Sequence, residues 1–139
     1  MAVTATPAFP QAINTAVQTI LPADTTTAKT IFTAGANGSK IDAIFVTSTD
    51  TAARDLILNV VVSATAYPIG IVSIPITAGT VSTVPTVDYL RSAQVPSFSF
   101  DAFGNKCMYI AAGVTLTANV GVAVTAAKVI TIVVQGSDF

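Results

Sequence analysis

The chain has 139 residues, a formal net charge of −1 from six basic and seven acidic side chains, and a 52% hydrophobic composition. That length suits one domain, and a single cysteine at position 107 permits no internal disulfide. The absence of histidine excludes Ser-His-Asp and Cys-His nucleophilic sites and removes the commonest zinc ligand; the six basic residues are scattered singly and offer no stripe for a phosphate backbone.

Residues 1–12 carry Pro7 and Pro10 and no periodic pattern, which predicts an extended N-terminal arm ahead of a single domain over residues 13–139. The arm opens without the basic and apolar segments of a secretory signal, so synthesis in the cytoplasm is expected. Ile13 to Leu21 reads as a weak strand closed by Pro22 and Asp24, and Thr25 to Thr33 as the next. Asn37-Gly38 can take the positive φ angles of a primed turn, so a hairpin is expected between that strand and Lys40–Ser48. In the latter, Ile41, Ala43 and Phe45 alternate with Asp42, Ile44 and Val46.

Asp50 follows in a loop as an Asx-turn residue. Arg54 to Ser63 then alternates, with Leu56, Leu58, Val60 and Val62 assigned inward. Tyr67-Pro68 reads as a corner. Ile69–Ile76 reads as a strand whose Pro75 end belongs at an edge or a bulge, and Val81–Leu90 as a strand interrupted by Pro85. Arg91 to Phe103 has no period and holds Phe98, Phe100 and Phe103; such a cluster either anchors a partner or plugs one end of the core.

From Lys106 to Gln135 the chain is long and apolar enough to imitate a membrane span of about 20 residues. Its alternation of Val114, Leu116, Ala118, Val120, Val122 and Val124 with Thr, Asn, Gly and Ala has the two-residue period of strands, and Gly113 and Gly121 oppose a helix. Two long strands joined near Thr125-Ala126-Ala127 are expected instead, with Cys107 buried and inert. The whole chain thus predicts an all-β, two-sheet antiparallel sandwich of jelly-roll type with about eight strands. An immunoglobulin-like sandwich ranks second, because the Cys…Trp…Cys signature is missing.

No active site emerges. The aspartates lie at turns or on polar strand positions, Asp50 with Asp55 lacks the rest of a calcium loop, and Gly35-Ala-Asn-Gly38 lacks the spacing of a phosphate cradle. No cofactor and no catalytic residue is assigned.

Thr33-Ala-Gly-Ala-Asn-Gly-Ser-Lys-Ile-Asp42, Ser48-Thr-Asp-Thr-Ala-Ala-Arg-Asp55, Ile74-Pro-Ile-Thr-Ala-Gly-Thr80, Val87-Asp-Tyr-Leu90, Asp101-Ala-Phe-Gly-Asn105 and Gly136-Ser-Asp-Phe139 together resemble the capsid decoration, or cement, proteins of tailed bacteriophages that have a jelly-roll fold. The resemblance covers nearly the whole chain, through turns and strand ends rather than a site motif. It implies a structural virion protein on the outer surface of an HK97-like capsid, bridging subunits of the major capsid protein and pairing with itself as a dimer, with a trimer as the alternative. Nucleic acid and membrane are not expected partners. The candidate interface comprises Val3, Pro7, Phe9, Pro10, Phe98, Phe100, Phe103 and Phe139. Two other readings stay open: a tail or head-fibre component, and a carbohydrate-binding jelly roll using Phe98, Phe100, Tyr89 and Asp101.

Overall fold

The computed structural model describes residues 9–95 and 99–139. Ten strands follow in order: β1 Ala12–Ile20, β2 Lys29–Thr33, β3 Ser39–Ser48, β4 Arg54–Val62, β5 Thr65–Ile74, β6 Val87–Asp88, β7 Ser99–Phe100, β8 Lys106–Ile110, β9 Thr115–Val120 and β10 Ile130–Asp138. A single 3₁₀ turn, Pro22–Asp24, separates β1 from β2, so β2 starts four residues later than the sequence pattern predicts. One sheet has the order β1-β10-β3-β8-β7, with β6 beside β3; the other has the order β2-β9-β4-β5, and every pairing is antiparallel.

Without the two-residue strands β6 and β7, eight main strands remain, and the chain crosses between sheets at β1–β2, β2–β3, β3–β4, β5–β8, β8–β9 and β9–β10. That alternation defines a jelly-roll-like β-sandwich, as the residue pattern predicts. Ile20, Ile44, Val46, Ile130, Ile132 and Val134 from one sheet face Phe32, Leu56, Leu58, Val72, Leu116, Ala118 and Val120 from the other, all buried. The Val, Leu, Ile and Phe side chains among them each contribute on the order of 1.5–3 kcal/mol through removal from water, which holds the two layers together.

Several local expectations fail, each for a physical reason. Asn37-Gly38 does not close a hairpin, because β2 and β3 belong to different sheets; the Gly38 N–H donates to the Gly35 carbonyl at 3.0 Å and the turn carries the chain across the sandwich. The real hairpin turn of this region is Ser63-Ala64 between β4 and β5, with φ values of 49° and 65°. Tyr67-Pro68 is no corner but lies inside β5, where the register slips between Leu58 and Asn59. As predicted for its Pro75 end, β5 is an edge strand. In Val81–Leu90 only Val87–Asp88 forms a named strand.

The stretch from Lys106 to Val124 is not one strand. It divides into β8 and β9, in opposite sheets, around Gly113 at φ 77°. No helix among the described residues is long and apolar enough to cross a membrane. Beyond β9, Val122 is 65% exposed, against the inward position its alternation predicts, because the strand has already ended.

β3 does not alternate simply either. Gln135 pairs with Ala43 and Gly136 with Ile41, so Asp42 is an extra residue and both Ile41 and Ile44 point into the core. Gly136 is required there: a Cβ would lie 2.5 Å from the Lys40 carbonyl oxygen.

Candidate functional site

Outward positions of the six-stranded sheet line up across strands. Val17 of β1 pairs with Val133 of β10, which pairs with Phe45 of β3, which pairs with Asp88 of β6. The rows on either side are Thr19, Thr131 and Thr47, and Thr15, Gln135 and Ala43. These ten positions alternate with inward residues such as Ala16, Ile20, Ile44, Val46, Ile132 and Val134, and by that period-two pattern form a face rich in Thr, Val and Phe with Asp88 as its marginal charge. Val17 is 63% exposed.

Toward the Ala12 end of β1, the next row is Ile13, Ser137, Lys40 and Tyr109, and here the surface hollows. Phe9, Pro10, Lys40, Phe100, Asp101, Ala102, Tyr109 and Phe139 line a groove of about 650 Å³. The rings of Tyr109 and Phe139 are near parallel, 19° apart with centroids 6.2 Å from each other.

The groove's walls are held by specific bonds. Asp138 accepts from Asn14 Nδ2 at 3.0 and 3.1 Å and from the Ser39 hydroxyl; these donors hold its carboxyl below the usual carboxylate range. The Phe139 N–H donates to the Gly38 carbonyl at 3.2 Å, and Asn37 Nδ2 donates to the Phe139 carbonyl at 3.1 Å. Gly35 packs so close to Asp138 that a Cβ would lie 2.6 Å from Cγ. The turn Gly35–Ser39 and the chain end Gly136–Phe139 therefore meet in one clamp that seats Phe139.

On the opposite wall, Asp101 organises its own loop. Its Oδ1 accepts the backbone N–H groups of Asn105 at 2.8 Å and Phe103 at 2.9 Å, and its Oδ2 accepts from Asn105 Nδ2 at 3.3 Å. The Asn105 backbone bond is the largest influence holding the Asp101 carboxyl below its ordinary range. Gly104, at φ 80°, closes the turn by donating to the Asp101 carbonyl at 3.0 Å. Lys40 pairs with Asp42 at 2.6 Å, and this bond raises the ammonium pKa. The charged groups lining the groove are thus already engaged within the chain.

Of the predicted interface residues, Phe9, Pro10, Phe100 and Phe139 come together here, from positions 130 residues apart in the chain. Phe103 stands just outside the groove at the loop tip, 91% exposed, and Phe100 is 57% exposed, so neither plugs the core. Val3, Pro7 and Phe98 lie outside the described residues. Tyr109, Lys40 and Ile13 escape sequence reasoning, although Tyr109 lies at an alternating position of a strand and was legible as an outward aromatic. Tyr89 cannot join a carbohydrate platform: it is fully buried, its hydroxyl donates to the Gly70 carbonyl at 2.5 Å, and burial pushes its pKa up to about 12.

The carboxylate of Asp50 is taken up by donors within the chain. Asp50 forms the expected Asx turn, accepting from the Ala52 N–H at 3.1 Å, and also accepts from Arg54 Nε at 2.7 Å and from the Thr125 hydroxyl at 2.6 Å and N–H at 3.1 Å. Among the described residues, no three His, Cys, Asp or Glu side chains gather. Cys107 is buried, as its apolar neighbourhood predicts.

These features define an all-β sandwich with a nearly uncharged sheet face and an aromatic groove at one end of it. No protein-family model matches the chain, and comparison with curated proteins and with solved structures finds no match.

Proposed function

We propose that this protein is a structural component of a tailed-phage particle, a capsid decoration protein that binds the outer surface of an HK97-like shell and bridges its subunits. The observation that carries the reading is the sheet face built on Val17, Val133 and Phe45 between a row of Thr19, Thr131 and Thr47 and a row of Thr15, Gln135 and Ala43. A contact of standard size takes about 800 Å² from each partner, and a face with few charges is covered at little desolvation cost. Each copy across a joint between capsomers adds contacts that outward pressure must break. The likeness of the turn and strand-end segments to cement proteins supports the same reading, as does the pairing of a jelly-roll-like fold with a surface poor in charge.

Attachment of this kind depends weakly on ionic strength, since it is not built from ion pairs. Particles carrying the protein, sedimented at neutral pH in 0.1 M and in 1 M NaCl, retain it at both concentrations. Release at 1 M would sink the proposed mechanism. Val17→Asp, on the exposed face, abolishes co-sedimentation while leaving the thermal transition of the isolated protein nearly unchanged. A head-fibre role predicts density at a few sites of the particle instead of a regular coat, which electron microscopy distinguishes.

A further inference from the structure

We propose that the aromatic groove is a self-recognition site: Phe103 of one copy inserts into the groove of a second copy, and the second copy returns the same contact about a two-fold axis. This deepens the self-pairing expected of a decoration protein and rests on that part of the reading, while leaving the sheet face to the shell. Along the strands, the groove row at Ile13 lies four residues from the Val17 row, or roughly 13 Å.

The knob is preorganised. Phe103 is 91% exposed on a loop fixed by the Asp101 carboxylate and the Gly104 turn, so burying its ring loses little backbone freedom. The hole lies next to it, since Phe100, Asp101 and Ala102 of the same loop form one wall of the groove. A knob and a hole side by side on one surface are self-complementary, because a two-fold rotation places each knob over the other copy's hole.

The groove's chemistry favours an apolar occupant. Lys40 is neutralised by Asp42 and both oxygens of the Asp101 carboxylate accept from their own loop, so the lining offers mainly its aromatic rings to an occupant. The exposed rings also supply much of the area. Phe9, Phe100, Phe103 and Tyr109 are 69%, 57%, 91% and 54% exposed; at roughly 200 Å² per ring they offer about 500 Å² per copy. That is the larger part of the ~800 Å² that a standard interface takes from each side.

Sedimentation equilibrium of the full chain is expected to show a monomer–dimer equilibrium. Phe103→Ala is expected to weaken it by roughly 30-fold for each of the two rings removed, or about 1,000-fold in dimer Kd. Tyr109→Asp, which places a charge in the groove, weakens it comparably. The decisive measurement mixes the two variants. A Phe103→Ala copy retains its groove and a Tyr109→Asp copy retains its knob, so the mixed pair keeps one of the two contacts and dimerises more tightly than either variant alone. A dimer indifferent to both substitutions overturns this interface but not self-pairing. A wild-type monomer at all concentrations overturns both, and a mixture no tighter than its components overturns the reciprocal exchange. Circular dichroism of each variant verifies that the fold is retained.

Discussion

Asp50 shows how much one side chain can fasten. It is buried at the junction of three segments, bonded to Arg54 on β4, to Thr125 in the loop between β9 and β10, and to Ala52 in its own turn. Burial alone would raise its pKa, but the Arg54 guanidinium and the Thr125 and Ala52 donors outweigh that and hold the carboxyl well below its ordinary value. Asp50→Ala leaves Arg54, itself only 12% exposed, without its partner; urea denaturation is expected to show a loss of about 3 kcal/mol. A depressed folded-state pKa stabilises at any pH above the unfolded value and is lost as pH falls below it. Asp24, Asp101 and Asp138 are lowered as well, so stability is expected to be flat from neutrality to about pH 5 and to decline below about pH 4. In Asp50→Ala that acid slope is shallower, which pH-dependent thermal melts measure.

At the scale of elements, what was legible in the residues is period, and what was not is the partner across the sheet. Alternation identifies the inward face of β9 and of the first half of β4, since Leu56, Leu58, Leu116, Ala118 and Val120 are all buried, but it fails past the bulge beside Asn59, where Val62, assigned inward, is 42% exposed. It cannot tell that Asn37-Gly38 crosses between sheets, because a tight turn has the same local chemistry whether the next strand pairs with the last one or not. It also cannot see the bulges at Asp42 and beside Asn59, which exist to let strands curve and are set by contacts with β10 and β5. The groove was half legible. The phenylalanines stand out in the sequence, but that Phe9, Phe100 and Phe139 converge follows from β10 lying between β1 and β3, a long-range pairing.

The β4–β5 hairpin was missed because Ser63 and Ala64 carry none of the usual markers of positive φ. Each non-glycine residue held there costs roughly 1 kcal/mol, and both are exposed. Replacing the pair with Asn-Gly is therefore expected to stabilise the protein by about 1 kcal/mol and raise Tm by a few degrees in calorimetry. No change, or a loss, would mean that the turn is held by something other than its backbone preference.

For the whole molecule, the pairing of the first main strand with the last is the controlling fact. β10 sits between β1 and β3 over nine residues of register, and the Gln11 N–H donates to the Asp138 carbonyl at 2.7 Å, so the sheet is completed only when the far ends of the chain meet. Folds of this kind have few local contacts to reward early collapse and typically fold in milliseconds to seconds. The two ends differ sharply in what they contribute. Replacing Phe9 and Pro10, which line the groove and are exposed, by Ala takes away no core side chain, so the thermal transition of that variant is expected to stay within a few degrees of the unaltered chain. Removing residues 130–139 takes away Ile130, Ile132 and Val134, three fully buried side chains, and unpairs both β1 and β3. Burial of those three alone is worth on the order of 6 kcal/mol, comparable to the whole stability of a domain this size. That variant is expected to lose its cooperative melt and its β-sheet circular dichroism, whereas retention of a sharp transition would show that the remaining strands form a sufficient core without β10.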